Sequence, residues 1–214
     1  MVQKHAATAS AKRPRGRPRA YDPEDALARA TTTFWRGGFA GTSLDELSAA
    51  TGMNRPSLYG AFGDKRALYL ATLDRYLALS LAAMHDALDP DRPLAEGLLE
   101  VYDRSLALYF ADSDAPLGCF LIGTAATEAA RDDGVRDKLS DAFRALTGAF
   151  EARFRAARAG GELAKRADPS LLANLAAAVL YAIALRARGG DSRASLRRFA
   201  RGAVSQLLTP LQPT

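Results

Sequence analysis

Two stretches of the chain combine residue types that bind polyanions. KRPRGRPRAYDP, residues 12–23, sets one lysine and four arginines within eight positions, separated by two prolines and a glycine, before turning acidic at Asp22. TSLDELSAATGMNRPSLYGAF, residues 42–62, carries hydroxyls at Thr42, Ser43, Ser57 and Tyr59 and a guanidinium at Arg55. Hydroxyls and arginines are phosphate ligands, and arginine also reads guanine edges. A third reactive type is Cys119, the one cysteine, in DAPLGCFLIGTAATEAA. Placed after Gly118 near a helix start, its thiol is expected to have a lowered pKa from unpaired N–H groups, which favours the thiolate. The competing reading is a buried cysteine filling space beside Phe120 and Leu121.

The charge is unevenly placed. Residues 1–19 hold Lys4, Lys12, Arg13, Arg15, Arg17 and Arg19 and no acid; removing these six from the 29 basic residues leaves 23 against 24 acids. The whole excess behind the formal +5 therefore lies at one end, which points to a polyanion approached by that end. With His5 and His85 as the only histidines beside a single cysteine, no zinc spacing exists and no disulfide can close; neither metal nor cofactor is expected. No GxxxxGK or GxGxxG loop is present, and no histidine lies near enough in sequence to make Cys119 an obvious nucleophile, so an enzyme is disfavoured. The start of the chain lacks a signal-like apolar stretch and the longest apolar run, residues 171–185, is short and alanine-rich, so a cytoplasmic protein outside the membrane is expected.

These residues need elements to position them. Past residue 21 every segment carries helical spacing and none alternates with period two, which predicts an all-α protein of about nine helices. Asp22 and Pro23 start the first, with Leu27, Ala30 and Phe34 on one face and Gly37 and Gly38 ending it. Thr42 and Ser43 start the second, stopped by Gly52; Asn54 caps the third, with Leu58 and Phe62 inward. Gly63 and Asp64 begin a long fourth helix bearing Leu73, Leu77, Leu81, Met84 and Leu88, interrupted at 89–93. The remainder read as helices over 94–110, 118–131, 135–159, 169–188 and 192–208, with Leu139, Phe143, Leu146, Phe150 and Phe154 as a core stripe on the seventh.

Two short helices joined through a glycine turn have the dimensions of a helix-turn-helix, one bracing and the next entering a major groove. Turning Leu58 and Phe62 inward leaves Arg55, Ser57, Tyr59 and Gly60 outward. Residues 22–66, through FWRGGFAGTSLDELSAATGMNRPSLYGAFGDKRALY, resemble the DNA-binding domain of the TetR/AcrR family of bacterial transcriptional regulators. The resemblance implies that Thr42 and Ser43 contact phosphate, that Arg55, Pro56, Ser57 and Tyr59 lie in or along the major groove, and that Lys65 binds backbone phosphate. Family members often carry large polar residues or histidine where this chain has Gly60 and Ala61, which puts more of the base reading on Arg55. PRGRP, residues 14–18, resembles the core of an AT-hook, so Arg15, Arg17 and Arg19 are expected in the minor groove beside the recognition helix; the alternative is a tail giving only general phosphate attraction.

The implied organisation is a disordered basic arm over 1–21, a helix-turn-helix domain over 22–66 and a helical regulatory and dimerisation domain over 67–214. In such proteins the last two helices pair with their symmetry mates, and here Ala176, Ala177, Val179, Leu180 and Ile183 with Leu196, Phe199, Ala203, Val204 and Leu207 are more apolar than one covered face needs. A homodimer reading a palindromic operator in double-stranded DNA follows, released by a small apolar ligand. Tyr102, Leu106, Phe110, Cys119, Phe120, Phe150 and Tyr181, large side chains on central helices, are the candidate pocket walls, and they could equally be plain core. Pro-Leu-Gly-Cys also resembles a segment in a subset of these regulators, some of which sense electrophiles or oxidants. A thiol sensor through Cys119 is thus one alternative; an architectural binder of A·T-rich DNA without ligand is the other.

Overall fold

The computed structural model describes residues 22–111 and 116–209, and among these no strand occurs. The basic arm, with Arg15, Arg17 and Arg19, lies outside the described residues. The helices are α1 (Pro23–Gly41), α2 (Leu44–Thr51), α3 (Arg55–Phe62), α4 (Lys65–Ala87), α5 (Leu94–Tyr109), a π-helical turn (Leu121–Ala125) running into α6 (Ala126–Glu128), α7 (Asp133–Ala159), α8 (Pro169–Arg188) and α9 (Arg193–Leu208). Their starts are chemically marked. The side chains of Asp22, Ser43, Asn54, Asp64, Asp132, Asp168 and Ser192 each accept a free N–H of the first turn.

α1 packs on both α2 and α4, α7 lies along α8 and α4, and α9 closes the body against α5 and α8. By length and composition α4 and α8 could each cross a bilayer, yet here Tyr69, Leu73 and Tyr76 of α4 and Ala176, Leu180 and Ile183 of α8 are core residues packed against neighbouring helices. The Phe150 and Phe154 stripe of α7 is likewise fully buried, while Phe143 is half-buried.

Two departures from the sequence reading have local causes. Regular helix geometry ends at Gly37 and Gly38 as expected, Gly38 being non-helical at φ 69° and ψ 175°, but a further turn beyond this kink carries α1 to Gly41. The single helix expected over 118–131 is shorter, running without a break from residue 120 to 128 as a π turn that leads into α6. Gly118, at φ 65°, sits so close to α8 that a Cβ would stand 2.6 Å from the Ala184 carbonyl oxygen, so residues 116–119 are non-helical and the π turn begins only afterwards. Arg188 of α8 donates to the Leu117 carbonyl at 3.3 Å, and Leu117 N–H to the Tyr109 carbonyl at 3.0 Å, fixing this extended connection from both sides.

Candidate nucleic-acid interface and cavity

In the helix-turn-helix, Ser43 and Glu46 form a reciprocal capping box: Ser43 Oγ accepts from Glu46 N–H at 3.1 Å and Ser43 N–H donates to Glu46 Oε2 at 2.6 Å. The backbone N–H and hydroxyl of Ser43 hold the Glu46 carboxyl below its ordinary pKa. Gly52, left-handed at φ 69°, ends α2, and the turn buries Met53 before Asn54 Oδ1 accepts from Ser57 N–H at 2.9 Å. α3 then turns Leu58 inward and leaves Arg55, Pro56 and Gly60 exposed, Tyr59 46% exposed and Ser57 half-buried. Nothing lies within 4 Å of where a Cβ on Gly60 would be, so this side of α3 is open to close approach.

Arg55 is not free. Its Nη2 donates to Asp45 Oδ1 at 2.7 Å, tying the recognition helix to the bracing helix. Lys65 Nζ lies 4.6 Å from the centre of the Phe39 ring, half-buried at the start of α4. Thr42 departs from its expected role, because it is 2% exposed and its hydroxyl donates to the Gly38 carbonyl at 2.7 Å. It ties down the end of α1, and Thr42 lines the open groove between α1 and α2. Ser43 is exposed, but its hydroxyl is engaged by Glu46 at 2.8 Å. A shallow groove between α1 and α2, lined in part by Arg29, Thr32 and Arg36, adds basic and hydroxyl groups that carry no motif in the sequence.

The body encloses a cavity of about 80 Å³, within about 630 Å³ of free space that opens to solvent. Its walls come from α4, α5, the π turn, α7 and α8, and its exposed members Ala83 and Leu108 place the mouth between α4 and α5. Of the seven expected wall residues, Cys119 and Tyr181 line it. Tyr102, Leu106, Phe120 and Phe150 are fully buried core instead, and Phe110 is half-buried away from it. Tyr76 and Tyr109 line it with no sequence signal to mark them, and Phe143 does so although its spacing reads as core. One residue is one hundred degrees of helix, and only tertiary packing decides which of Leu106 or Leu108 faces in.

Tyr76 donates its hydroxyl to Cys119 Sγ at 3.5 Å. The Cys119 thiol departs from the expected direction: burial pushes its pKa up, outweighing the lowering effect of the Tyr76 hydroxyl, the Ile122 and Leu121 N–H groups and the Tyr109 hydroxyl. Burial likewise holds Tyr76 and Tyr109 far above the ordinary phenol range. This wall reaches the helix-turn-helix unit through rings. Tyr76 meets Trp35 of α1 edge-on at 5.2 Å, and Phe120, next to Cys119, lies 5.8 Å from Trp35, 5.6 Å from Tyr76 and 6.0 Å from Tyr69. Tyr69 in turn packs on Phe34 and Phe39, while its hydroxyl shares a 2.8 Å hydrogen bond with Thr124 of the π turn. Arg66 of α4 grips Asp132 of α7 through two hydrogen bonds, Nη2 to Oδ1 at 2.7 Å, and this holds the Asp132 carboxyl down at about 2.

On α8 and α9 the expected pairing residues divide. Ala176, Ala177, Leu180, Ile183, Leu196 and Val204 are buried within the protomer and cannot also face a second copy without opening it; Val179, Phe199, Ala203 and Leu207 are half-buried. The apolar side chains left outward on α8 are Leu171, Leu175, Ala178 and Leu185.

Fold and site together define a helix-turn-helix protein whose helical body encloses a cavity. Residues 26–72 match the model of bacterial regulatory proteins of the tetR family, and residues 96–203 that of the tetracyclin repressor-like C-terminal domain. The chain is 31% identical over 194 residues to the transcriptional repressor ComR of Escherichia coli, spanning 90% of this chain and 92% of that protein. Among solved structures it is similar to the TetR family regulator CifR, a cysteine mutant complexed with 26 bp operator DNA: 33% identity, TM-score 0.80, 88% of this chain and 98% of that one. Reduced Escherichia coli NemR shares the fold at 20% identity and TM-score 0.77, over 89% of this chain and 98% of that one. The chain belongs to the tetR family of bacterial regulatory proteins.

Proposed function

We propose that this protein is a cytoplasmic, non-enzymatic transcriptional repressor that holds a palindromic operator as a homodimer and releases it when a small molecule enters the cavity. One observation carries the reading: the outward face of α3, with Arg55, Pro56, Ser57 and Tyr59, belongs to a reading head whose α1 is joined to the cavity wall through the Trp35, Tyr76 and Phe120 rings. The repressor name of ComR and the operator complex of CifR support it. Ser43 and Lys65 supply phosphate contacts, Ser43 mainly through the N-terminus of α2, and the arm over 1–21 adds Arg15, Arg17 and Arg19. Residues 22–66 form the reading head and 67–214 the regulatory and pairing body, with the Leu171, Leu175, Ala178 and Leu185 side of α8 as the pairing surface. A ligand acts only through its difference in affinity between operator-bound and released conformations, and about 1–3 kcal/mol of coupling gives a clear response.

Footprinting on the DNA upstream of its own gene, with random competitor, tests this. A short protected region with two-fold symmetry is the expected result; protection that disappears with competitor favours an architectural binder. A second reading, thiol sensing, starts from the place of Cys119 Sγ in the cavity wall, and it must overcome the burial that raises the thiol pKa despite the neighbouring donors. Cys119→Ser should then abolish operator release by an alkylating agent, and unchanged release removes the reading.

A further inference from the structure

α9 carries charge that the packing of the body does not use. Residues 67–214 hold 18 basic and 18 acidic residues, but six of the basic and one of the acidic fall within 186–201, leaving 12 basic against 17 acidic elsewhere in the body. Two of the six have structural partners: Arg186 meets Asp191 at 2.6 Å, and Arg188 donates to the Leu117 carbonyl at 3.3 Å. The other four, Arg193, Arg197, Arg198 and Arg201, are exposed on α9. Arg197 reaches Asp103 of α5 at 2.7 Å; among the described residues no carboxylate pairs with Arg193, Arg198 or Arg201.

Helix geometry sets the four on one ridge. A step of four residues advances about 6 Å and turns about 40°, so Arg193, Arg197 and Arg201 follow one line with Arg198 beside it. Leu196, Ala200 and Val204 face the core. The ridge side meets α5 through Arg197, whereas Phe199, on the other flank, packs under Arg186 of α8 with 4.9 Å from guanidinium carbon to ring centre. Phe199 and Ala203, both expected to pair with a second copy, lie on that flank, so the ridge stays open in a dimer. The arrangement works against the helix itself. α9 contains no acid, Arg193 with Arg197 and Arg197 with Arg201 repel at i,i+4 spacing, and Arg193 stands in the first turn, where the helix dipole disfavours a cation. A row of guanidiniums without counter-charges is complementary to a row of anions, and the planar arginine fork suits phosphate oxygens.

We propose that the α9 ridge is a second nucleic-acid surface, which grips the phosphate backbone of a duplex segment other than the one held by the reading head, so that one dimer joins two segments of DNA. α9 packs on α5 and α8, neither of them part of the reading head. Phosphate contact alone carries no sequence preference, so the proposal goes beyond the operator reading and does not depend on it.

The test binds full-length protein to a short immobilised duplex, washes it, and offers a labelled duplex of unrelated sequence. Wild type should capture the second duplex, with log affinity falling against log salt by roughly 0.9 for each phosphate neutralised. The triple variant Arg193→Gln, Arg198→Gln, Arg201→Gln should stay on the first duplex and capture at least about fivefold less of the second. No capture by wild type, or equal capture by the variant, overturns the proposal. So does displacement of the second duplex by poly-glutamate at a lower charge concentration than by unlabelled DNA, which would assign the ridge to an acidic protein. A melting temperature lowered by several degrees moves the comparison to the double variant Arg198→Gln, Arg201→Gln, judged by the same criterion. Footprinting is run on the same proteins. An unchanged footprint with lost capture supports the ridge, and a footprint that weakens in step with capture places the ridge on the operator itself and overturns the proposal. Ridge-dependent capture by a wild type that leaves no footprint keeps the ridge and sinks the operator reading.

Discussion

Arg55 has two partners to choose between. In the free protein it is held by Asp45, and both side chains are more than half exposed, so the pair adds little to stability. On an operator it can exchange Asp45 for a guanine edge or phosphate. Arg55→Ala should therefore weaken operator binding by about 5- to 100-fold, as expected for one good arginine contact, while leaving the melting temperature nearly unchanged; titration with labelled operator and calorimetry check the two halves. The type of Arg55 and its outward side of α3 were legible in the sequence, because Leu58 fixes the phase of an eight-residue helix. Its engagement with Asp45, ten residues earlier, was not, since that pairing depends on how α2 crosses α3. The thiol of Cys119 behaves in the same way with the opposite sign. Its place near a helix start was readable, but burial among Tyr76, Tyr109 and the π turn decides its pKa, and burial is a property of the packed body.

Helix ends were legible nearly to the residue because they are written locally: an aspartate, serine or asparagine accepts first-turn N–H groups, and α8 and α9 begin where Asp168 and Ser192 do so. The connection before the π turn was not, because Gly118 is demanded by α8, a partner far along the chain at Ala184. Gly118→Ala combines a left-handed φ with a 2.6 Å clash at the Ala184 carbonyl and should lower the melting temperature by about 4–10 °C, read by differential scanning calorimetry. The clasp between α4 and α7 gives a pH prediction. Arg66 holds the Asp132 carboxyl below its unfolded value of 3.8, at about 2, so the stability it adds is complete above about pH 4 and is lost as pH falls toward 2. Asp132→Asn keeps a capping side chain for α7 and removes the charge; its melting temperature should start lower at neutral pH and fall less steeply across that window.

At the scale of the molecule, the excess basic charge lies in the first nineteen residues of the sequence, and the apolar core in the helical body that follows. Deleting residues 1–19 should flatten the dependence of log operator affinity on log salt by roughly 0.9 for each phosphate that the arm neutralises, up to roughly 2.7 per subunit if Arg15, Arg17 and Arg19 each neutralise one. A slope that does not change would assign the arm no part in binding. The body's ring packing has a spectroscopic consequence. The chain contains one tryptophan, Trp35, 8% exposed, and it stands where α1 meets Tyr76 and Phe120. Its indole N–H is buried and meets no acceptor among the described residues, so the chromophore is sensitive to any polar group or water admitted at that joint. All indole emission from the unlabelled protein therefore originates at the seam between reading head and cavity, and its wavelength and lifetime follow that seam in real time without a dye or an engineered reporter.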